Sequence, residues 1–383
     1  LGDAWKHTKA RSEEDRLENQ QIVLTVPASF DDTARTLTVE AAKDAGLENL
    51  TLLEEPQAAF YCWLATHTEK EAHQLKPGYR CAVIDIGGGT TDFSLIEAVE
   101  EKGELAFVRQ AVGNHLLLGG DNMDLALAHF VEQRLFAGKE GKRLDAAQHT
   151  QLTQGCRQAK EVLLGEKPPK KQRVSVMGRG RSVIGKALHN DLTPDEVRQV
   201  IVDGFFPITR PDEMPQSAGR TGLHEMGLPY VHDAAISRHL AEFLYRHIPR
   251  QKGEVLAAPE AILFNGGVFQ PKILRDRVVE VMRGWFGKEW EPLVLNNPSL
   301  DLAVSLGAAQ YGWLRHTGGK RIGGGIARSY YLGIDSGEQS SEDKENVSIL
   351  CVVPQHLEEG EEVVLEEPEL ELAMGQQMQF TLY

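Results

Sequence analysis

The octet Asp85-Ile86-Gly87-Gly88-Gly89-Thr90-Thr91-Asp92 lies between two short apolar runs, 81–84 before it and 93–96 after it. This layout predicts two buried strands that are joined by a tight turn. Three successive glycines can adopt positive φ and bring bare N–H groups close to a ligand. The turn also has threonine hydroxyls and a carboxylate at each end, which suits a polyphosphate whose Mg²⁺ keeps its waters, held by Asp85 and Asp92. The alternative is a hairpin whose glycines only satisfy the turn.

Length, composition and charge limit the classes of function. The 383 residues are enough for two or three domains, and 41% apolar with 25% charged residues is typical of a soluble globular protein. A net charge of −15 argues against binding to nucleic acid or to an anionic membrane, because both need basic surfaces. Four widely separated cysteines without a CxxC spacing fit a reduced, cytoplasmic compartment. Because the sequence starts at Leu1 and not at Met, we expect a fragment that lacks the N-terminal start of a longer protein.

A pair of acidic residues, Glu54-Glu55, follows the apolar run 50–53 and precedes Pro56. Proline suits the first helical position, so a strand is predicted to end here and a helix to begin. An acid at such a junction lies where α/β enzymes place their chemistry, at the carboxyl ends of strands. The alternative for Glu55 is a helix N-terminal charge that the helix dipole favours.

Two Gly-Gly pairs also stand immediately before predicted helices. Gly119-Gly120 precedes an amphipathic helix over 122–135, where helix N–H groups could form a second phosphate cradle. Gly266-Gly267 follows the predicted strand 261–264 and precedes a helix that begins near Pro271. Each pair is equally compatible with a simple tight turn.

Periodicity and capping signals predict the remaining elements. They are a strand at 22–26, a helix from Asp31 or Asp32 to 45, a helix with Leu152, Cys156, Ala159 and Leu163 on one face, a helix from the Thr193 capping box to about Asp203, a helix through Ile236, Leu240, Phe243 and His247, and a last helix at 302–314 opened by Asp301. The basic patch at 165–190 has no interleaved aromatics, which favours a solvated hairpin over a nucleic-acid site. The stretch 209–229 predicts an exposed loop.

Several of these motifs occur in an order that resembles one family. They are Val26-Pro27-Ala28-Ser29-Phe30-Asp31-Asp32, Ala45-Gly46-Leu47, Glu55-Pro56-Gln57-Ala58-Ala59, the octet, Leu118-Gly119-Gly120, Gly266-Gly267 and 301–309. Together they resemble the actin-like ATPase domain of the DnaK-type, 70-kDa heat-shock chaperones, over residues 20–315. The resemblance implies an α/β fold of two actin-like, ribonuclease H-like lobes with nucleotide in the cleft, followed by the start of a β-sandwich.

The same resemblance implies a division of the chain into domains. Residues 1–138 would be a partial first lobe and the start of the second, 139–262 a helical and hairpin subdomain of the second lobe, and 263–318 the end of the ATPase domain. Residues 319–329, which contain Gly323-Gly324-Gly325, would be a linker. Residues 330–383 would be a truncated β domain that resembles the substrate-binding domain.

Carried over residue by residue, the resemblance implies a site for ATP or ADP with Mg²⁺. The phosphates would be cradled by Gly87, Gly88, Gly89 and Thr90, with Thr91 beside them, and backed by Gly119 and Gly120. Mg²⁺ would be held through water by Asp85 and Asp92, and Glu55 would orient the attacking water or accept its proton. The catalytic group would thus comprise Glu55, Asp85, Asp92 and Thr90. The adenosine pocket would be lined by Lys160, Gly266, Gly267 and Asp301.

Some positions depart from the family pattern. Arg157 stands where the family has Glu, Glu161 where it has a basic residue, Val268 in place of a Ser and Gln270 in place of an Arg, so ribose and base contacts are expected to differ more than phosphate contacts. The linker lacks the leucine-rich, acid-terminated signature of the family. The first phosphate loop and the catalytic lysine of the family are not in this sequence, so we expect this stretch alone to hydrolyse ATP poorly.

The function that the resemblance implies is that of an ATP-hydrolysing chaperone of the cytoplasm that responds to stress. Its partners would be unfolded client proteins, a J-domain co-chaperone and a nucleotide exchange factor, with neither nucleic acid nor membrane. An actin-like filament protein of bacterial cell shape shares several of the motifs. A sugar or acetate kinase has the same fold, but the sequence has no separate acceptor-site motif. A nucleotide sensor that binds without hydrolysis is a further alternative.

Overall fold

The computed structural model describes residues 2–114, 116–138, 143–178, 187–216, 233–250, 255–326, 329–334, 348–355, 357 and 361–365. In chain order the helices are α1 (Gly2–Thr8), α2 (Asp32–Asp44), α3 (Glu55–Thr66), α4 (Glu69–Ala72), α5 (Gly120–Leu135), α6 (Ala146–Leu163), α7 (Pro194–Val197), α8 (Ile236–His247), α9 (Lys272–Phe286) and α10 (Ala303–Thr317). The strands are β1 (Ile22–Val26), β2 (Leu50–Glu54), β3 (Arg80–Ile86), β4 (Thr91–Glu101), β5 (Glu104–Val112), β6 (Gln172–Val176), β7 (Leu188–Leu192), β8 (Ala261–Asn265), β9 (Leu293–Leu295), β10 (Tyr330–Ile334) and β11 (Ser348–Val353). Across these ranges, no helix combines the length and apolar character that crossing a membrane requires.

A mixed sheet of the order β5-β4-β3-β8-β9 forms the centre of the fold. β3, β4 and β5 pair antiparallel, whereas β8 pairs parallel with both β3 and β9. In this register Asp85 lies opposite Asp92 on one side and opposite Asn265 on the other. The sheet therefore brings Asn265, which is distant in sequence, to the same end of the strands as Asp85 and Asp92.

Alternate residues of β3 face two different cores, as the period of two in a strand requires. Ile84 and Ile86 belong to a large core that also contains residues of α5, α6, α8 and α9. Cys81 and Val83 face a second core, formed with Phe60 and other residues of α3. Helices therefore cover both faces of the sheet, which fits the continuous burial of residues 81–86.

The parallel pair β1 and β2 forms a separate small sheet beside α3 and α10. Gly307 of α10 lies so close to α3 that an added Cβ would fall 1.6 Å from the carbonyl oxygen of Ala58. Only glycine permits this approach of the two helices. The contact fixes the start of α3, and with it Glu55, relative to the rest of the protein.

Most of the elements predicted from the sequence are confirmed. The octet joins two strands, Glu55 begins a helix whose second residue is Pro56, and the strand that precedes Gly266-Gly267 is fully buried. The segment from Thr193 is helical to Asp203, with π-helical geometry in its second half. The strands β5 and β9 were not predicted.

Two predicted surface segments are described only in part. The basic patch forms the antiparallel pair β6 and β7, as expected of a solvated hairpin, with 179–186 outside the described residues. The predicted loop at 209–229 lies outside them from residue 217 onward. At the C-terminal end β10 and β11 pair antiparallel, and 366–383 lie outside the described residues.

Candidate active site

The hairpin of β3 and β4 carries two buried carboxylates at its open end. Asp85 is 7% exposed and Asp92 is 3% exposed. The amide Nδ2 of Asn265 donates a hydrogen bond of 2.8 Å to Oδ2 of Asp85, and the hydroxyl of Ser29 donates to Oδ1 of Asp92. Both carboxylates are thus oriented by a polar side chain that sequence reasoning did not single out.

Glu55, at the start of α3, completes a group of three acids. Burial raises the pKa of Glu55 above its ordinary value, and the negative charge of Asp92 raises it further. Burial also raises the pKa of Asp85 to about 7; the hydrogen bond from Asn265 opposes this shift, and the charges of Glu55 and Asp92 add to it. Because the charge of Asp92 acts on Glu55 and the charges of both act on Asp85, the three predicted acids lie within electrostatic range of one another, and a cation among them would relieve their repulsion.

The glycine turn does not use the backbone conformation that the sequence suggested. Positive φ was expected for Gly87, Gly88 and Gly89, but none of the three has it. Within the turn, the N–H of Gly87 donates to the carbonyl of Thr90 at 2.9 Å. In the described part of the chain, the N–H groups of Gly88, Gly89 and Thr90 donate to no other group. The turn therefore offers three successive amide donors to a ligand.

At Gly119, next to the turn, it is the absence of a side chain that matters. The turn packs against the start of α5, where the N–H of Gly120 donates to the carbonyl of Gly87 at 3.0 Å and that of Asp121 to the carbonyl of Gly88 at 2.7 Å. An added Cβ on Gly119 would lie 2.6 Å from the carbonyl oxygen of Gly88. The amides at this helix start are therefore engaged with the turn and support it from behind.

Two further predicted residues make contacts within the protein. The hydroxyl of Thr91, which is fully buried, donates to the carbonyl of Leu118 at 2.6 Å. Gly266 has φ +88°, and an added Cβ there would lie 2.2 Å from the carbonyl oxygen of Ile86 and 2.8 Å from Oδ1 of Asp85. Gly266 is thus the position where a left-handed glycine is required, because any side chain would collide with the end of β3.

A cavity of about 710 Å³ adjoins the turn and runs between α6 and the start of α9. Its size is in the range of small-molecule sites, which enclose roughly 300–1,000 Å³. The predicted site residues that line it are Gly87, Gly88, Gly120, Lys160, Gly267 and Asp301. The four positions that depart from the family pattern, Arg157, Glu161, Val268 and Gln270, line it as well. The sequence did not single out Lys272 or Arg275, which line it from α9.

Lys160 links two of the helices around the cavity. Its Nζ lies 2.7 Å from Oδ1 of Asp124 in α5 and donates to the carbonyl of Gly120 at 3.2 Å. Burial raises the pKa of Asp124, and the hydrogen bond and charge of Lys160 oppose that shift. Arg157, one turn earlier on α6, is exposed and faces Glu161 at 3.4 Å. Lys160 is therefore a half-buried link between α5 and α6 that also borders the cavity.

Glu54, the residue before Glu55, has a different environment. Its Oε1 lies 2.9 Å from the guanidinium of Arg35, and its Oε2 lies 2.5 Å from that of Arg109. Glu54 and Arg109 are both buried. This acid is neutralised within the fold, whereas Glu55 faces other acids.

The donor set fits Mg²⁺ better than it fits a metal bound by protein side chains alone. In the ranges that the structure describes, no three His, Cys, Asp or Glu side chains are arranged to ligate a metal ion together. Mg²⁺ keeps several of its waters and is usually bound through one or two carboxylates plus substrate phosphates. The adjacent pair Asp85 and Asp92, beside a turn with three amide donors, meets this requirement.

A mixed sheet with helices on both faces, a glycine turn and an adjoining cavity together define an α/β protein with a candidate phosphate-binding site. A model of the family described as Hsp70 protein matches residues 6–201, just over half of the chain. The chain therefore belongs to the Hsp70 family, whose members are ATP-binding chaperones with an actin-like ATPase fold, and the resemblance found in the sequence is confirmed. The family binds nucleotide, typically with Mg²⁺, and its members are ATPases.

Proposed function

We propose that this protein hydrolyses ATP and uses the cycle to assist the folding of other proteins. The observation that carries the proposal is the charge interaction of Glu55, Asp85 and Asp92 beside a turn with three available amides, a turn whose Gly87 and Gly88 line the 710 Å³ cavity. Phosphoryl transfer to water needs little more than positioning and charge compensation, and this group of residues can supply both.

The turn is assigned to the phosphates. The N–H groups of Gly88, Gly89 and Thr90 would donate to the oxygens of the β- and γ-phosphates, and Gly87 would shape the turn. Gly119 and Gly120 would back the phosphates indirectly, because their contacts hold the turn in place. Thr91 would contribute by anchoring β4 to residue 118. When bound, Mg²⁺ would compensate the phosphate charge, and Asp85 and Asp92 would accept hydrogen bonds from its waters.

Glu55 is assigned to the attacking water. A carboxylate accepts a proton more readily when its pKa is raised toward the working pH, and burial beside Asp92 has that effect here. Its place at the first residue of α3, fixed by the contact of α3 with α10, would hold the carboxylate in one position. Glu55 would therefore orient the water and accept its proton.

The cavity beyond the turn is assigned to adenosine. Lys160, Gly267 and Asp301 line the cavity, and Gly266, which lies against Ile86 and Asp85, would shape the turn that leads to Gly267. Arg157 and Glu161 form an exposed ion pair at its edge. These charges stand where the family has the opposite ones, so the ribose and base would be contacted by side chains of changed charge.

The remaining parts of the proposal rest on the family. The ATPase lobes at 1–138, 139–262 and 263–318, the linker at 319–329 and a β-sandwich from 330 are proposed as the domains, with the antiparallel pair of β10 and β11 in support of the last. Unfolded clients, a J-domain co-chaperone and an exchange factor are the proposed partners, in the cytoplasm.

The test combines ATP hydrolysis with refolding of a denatured reporter enzyme by the full-length protein, with and without a J-domain protein. We expect slow hydrolysis and ATP-dependent refolding, and we expect Asp85→Asn to abolish both without lowering the melting temperature. Binding without hydrolysis would indicate a nucleotide sensor. Growth of light scattering on addition of ATP would indicate a filament protein, and either result would overturn the proposal.

A further inference from the structure

Asn265 is an unusual residue for the end of a buried strand. It is 1% exposed and follows four buried apolar residues of β8. Its Nδ2 donates to Asp85, but its Oδ1 is buried and, in the described residues, accepts no hydrogen bond. A buried acceptor without a partner costs about 1–3 kcal/mol, so an apolar residue would serve the strand better. What distinguishes this unpaired Oδ1 is its place beside Asp85, where a ligand of that carboxylate could donate to it.

The orientation of the amide follows from its chemistry. Only the NH₂ end can donate to a carboxylate, so Nδ2 must face Asp85 and Oδ1 must point away from it. The donated bond occupies Oδ2 of Asp85. The next residue, Gly266, has no side chain and so leaves Oδ1 of Asp85 uncovered; an added Cβ on Gly266 would lie 2.8 Å from that oxygen. The end of β8 thus holds one oxygen of Asp85 and leaves the other open.

We propose that Asn265 is a positioning residue of the Mg²⁺–nucleotide site, in which Nδ2 holds the Asp85 carboxylate and Oδ1 accepts a hydrogen bond from a water of the bound metal. The inference rests on the proposed function, since it needs a hydrated Mg²⁺ beside Asp85. Waters of Mg²⁺ are strong hydrogen-bond donors and need acceptors around them. Residues that orient metal-holding groups typically change metal affinity about 10- to 100-fold when they are lost.

The test measures the Mg²⁺ concentration that gives half-maximal ADP binding, by calorimetry on the full-length protein. The variant is Asn265→Leu, which keeps the size of the side chain and removes both polar atoms. We expect the half-maximal Mg²⁺ concentration to rise roughly 10- to 100-fold. The melting temperature in EDTA should change little, because the variant also removes the unpaired acceptor.

Asn297→Leu is the matched control. Asn297 also donates one hydrogen bond through Nδ2, to the carbonyl of Ala59 at 3.0 Å, and also has a buried Oδ1 without a partner in the described residues. Its hydrogen bond goes to α3 and not to Asp85, so its loss should leave the Mg²⁺ dependence of ADP binding unchanged. A purely structural role for Asn265 would instead lower the melting temperature in EDTA and leave the Mg²⁺ dependence as in the wild type.

The outcomes separate this inference from the proposed function. If the wild type binds Mg²⁺–ADP and Asn265→Leu has the same Mg²⁺ dependence, the role of Asn265 is wrong and the proposed function stands. If the wild type binds no Mg²⁺–ADP, both are wrong. Should Asn265→Leu fail to fold, Asn265→Ser, which is too short to reach Asp85, takes its place with the same expected shift.

Discussion

Glu54 and Glu55 are neighbours at one strand-to-helix junction, yet their surroundings are opposite. Glu54 is enclosed by the guanidinium groups of Arg35 and Arg109, and it ties β2 to α2 and β5. Glu55 lies among acids instead: the charge of Asp92 raises its pKa, and the charges of Glu55 and Asp92 raise the pKa of Asp85. The negative charge of Glu54 is compensated by two arginines of the fold. The negative charges around Glu55 would be compensated by a bound cation.

The difference shows how a role is decided at this junction. Both residues follow the same strand, and either could have been a helix N-terminal charge. Only the contacts with distant segments, 85–92 for one and Arg109 for the other, separate a structural acid from a candidate catalytic one. The comparison therefore predicts that mutations at the two positions have distinct effects, one on hydrolysis and the other on stability.

The largest effect is expected for Glu55→Gln. The amide keeps the shape of the side chain but cannot accept a proton from water, so ATP hydrolysis should fall roughly 10²- to 10⁴-fold. The melting temperature should not fall, because the change removes a like-charge repulsion with Asp92. Single-turnover hydrolysis and thermal melting check this, and a variant that hydrolyses ATP at close to the wild-type rate would remove Glu55 from the catalytic group.

Glu54→Gln should have the opposite effect to Glu55→Gln: it should lower stability and leave nucleotide affinity unchanged. It leaves the buried guanidinium of Arg109 without its counter-charge, which costs about 3–5 kcal/mol of the free energy of unfolding. Nucleotide affinity of the protein that remains folded should be unchanged. Denaturant unfolding measures the loss, and the double variant Glu54→Gln/Arg109→Met should recover much of it. A stable Glu54→Gln with impaired hydrolysis would mean that the two glutamates have been assigned the wrong way round.

A smaller effect is expected from Gly119→Ala, which tests the support of the turn. The added Cβ would lie 2.6 Å from a carbonyl oxygen of the turn, so the turn must shift, at a cost of about 1–3 kcal/mol. ADP affinity measured by calorimetry should fall with it. Gly284→Ala is the control: its Cβ would meet nothing within 4 Å on α9, so ADP affinity should not change and stability should not fall, since alanine favours a helix over glycine. Unchanged ADP affinity in Gly119→Ala would show that the turn does not depend on this contact.

The smallest effect is a pH dependence of stability, which tests whether Asp85, one of the acids near Glu55, lacks a compensating positive charge. Its pKa is raised to about 7 from an ordinary 3.8, so the folded protein holds a proton that the unfolded chain releases between those values. Metal-free protein should therefore gain stability as the pH falls from about 8 to about 5. Relative to Asp85→Asn, the melting temperature of the wild type should rise by a few degrees over this range. If the melting temperatures of the two proteins depend on pH in the same way, the raised pKa of Asp85 is contradicted.

The sequence predicted the parts of the site that depend on local pattern. The hairpin, the helix that begins at Glu55 and the strand before Gly266-Gly267 each follow from apolar runs and turn residues within a short window. The family resemblance added the expectation that nucleotide binds in a cleft between two lobes. β9 was not predicted because it spans only Leu293–Leu295, which is too short to show a periodic pattern. The positive φ expected of the octet was wrong: an added Cβ on its glycines would meet nothing closer than 3.6 Å, and the close approach that requires glycine is at Gly119.

What the sequence could not show depends on contacts between distant segments. The pairing of Glu54 with Arg109, of Lys160 with Asp124 and of Asn265 with Asp85 each joins residues far apart in the chain, and no local pattern specifies them. Whether an acid is neutralised or left facing other acids is decided by such pairs. This is why the sequence could place Glu55 at a junction but could not separate it from Glu54.

The central claim is that Asp85 and Asp92 hold a nucleotide-bound metal beside the glycine turn. A crystal structure of the full-length protein with Mn²⁺–ADP tests it most directly, because the anomalous signal locates the metal without reference to any assumption. We predict one Mn²⁺ peak within water-bridging distance of both carboxylates, with the phosphates on the amides of Gly88, Gly89 and Thr90. A nucleotide bound elsewhere, or a metal remote from both aspartates, would contradict the account.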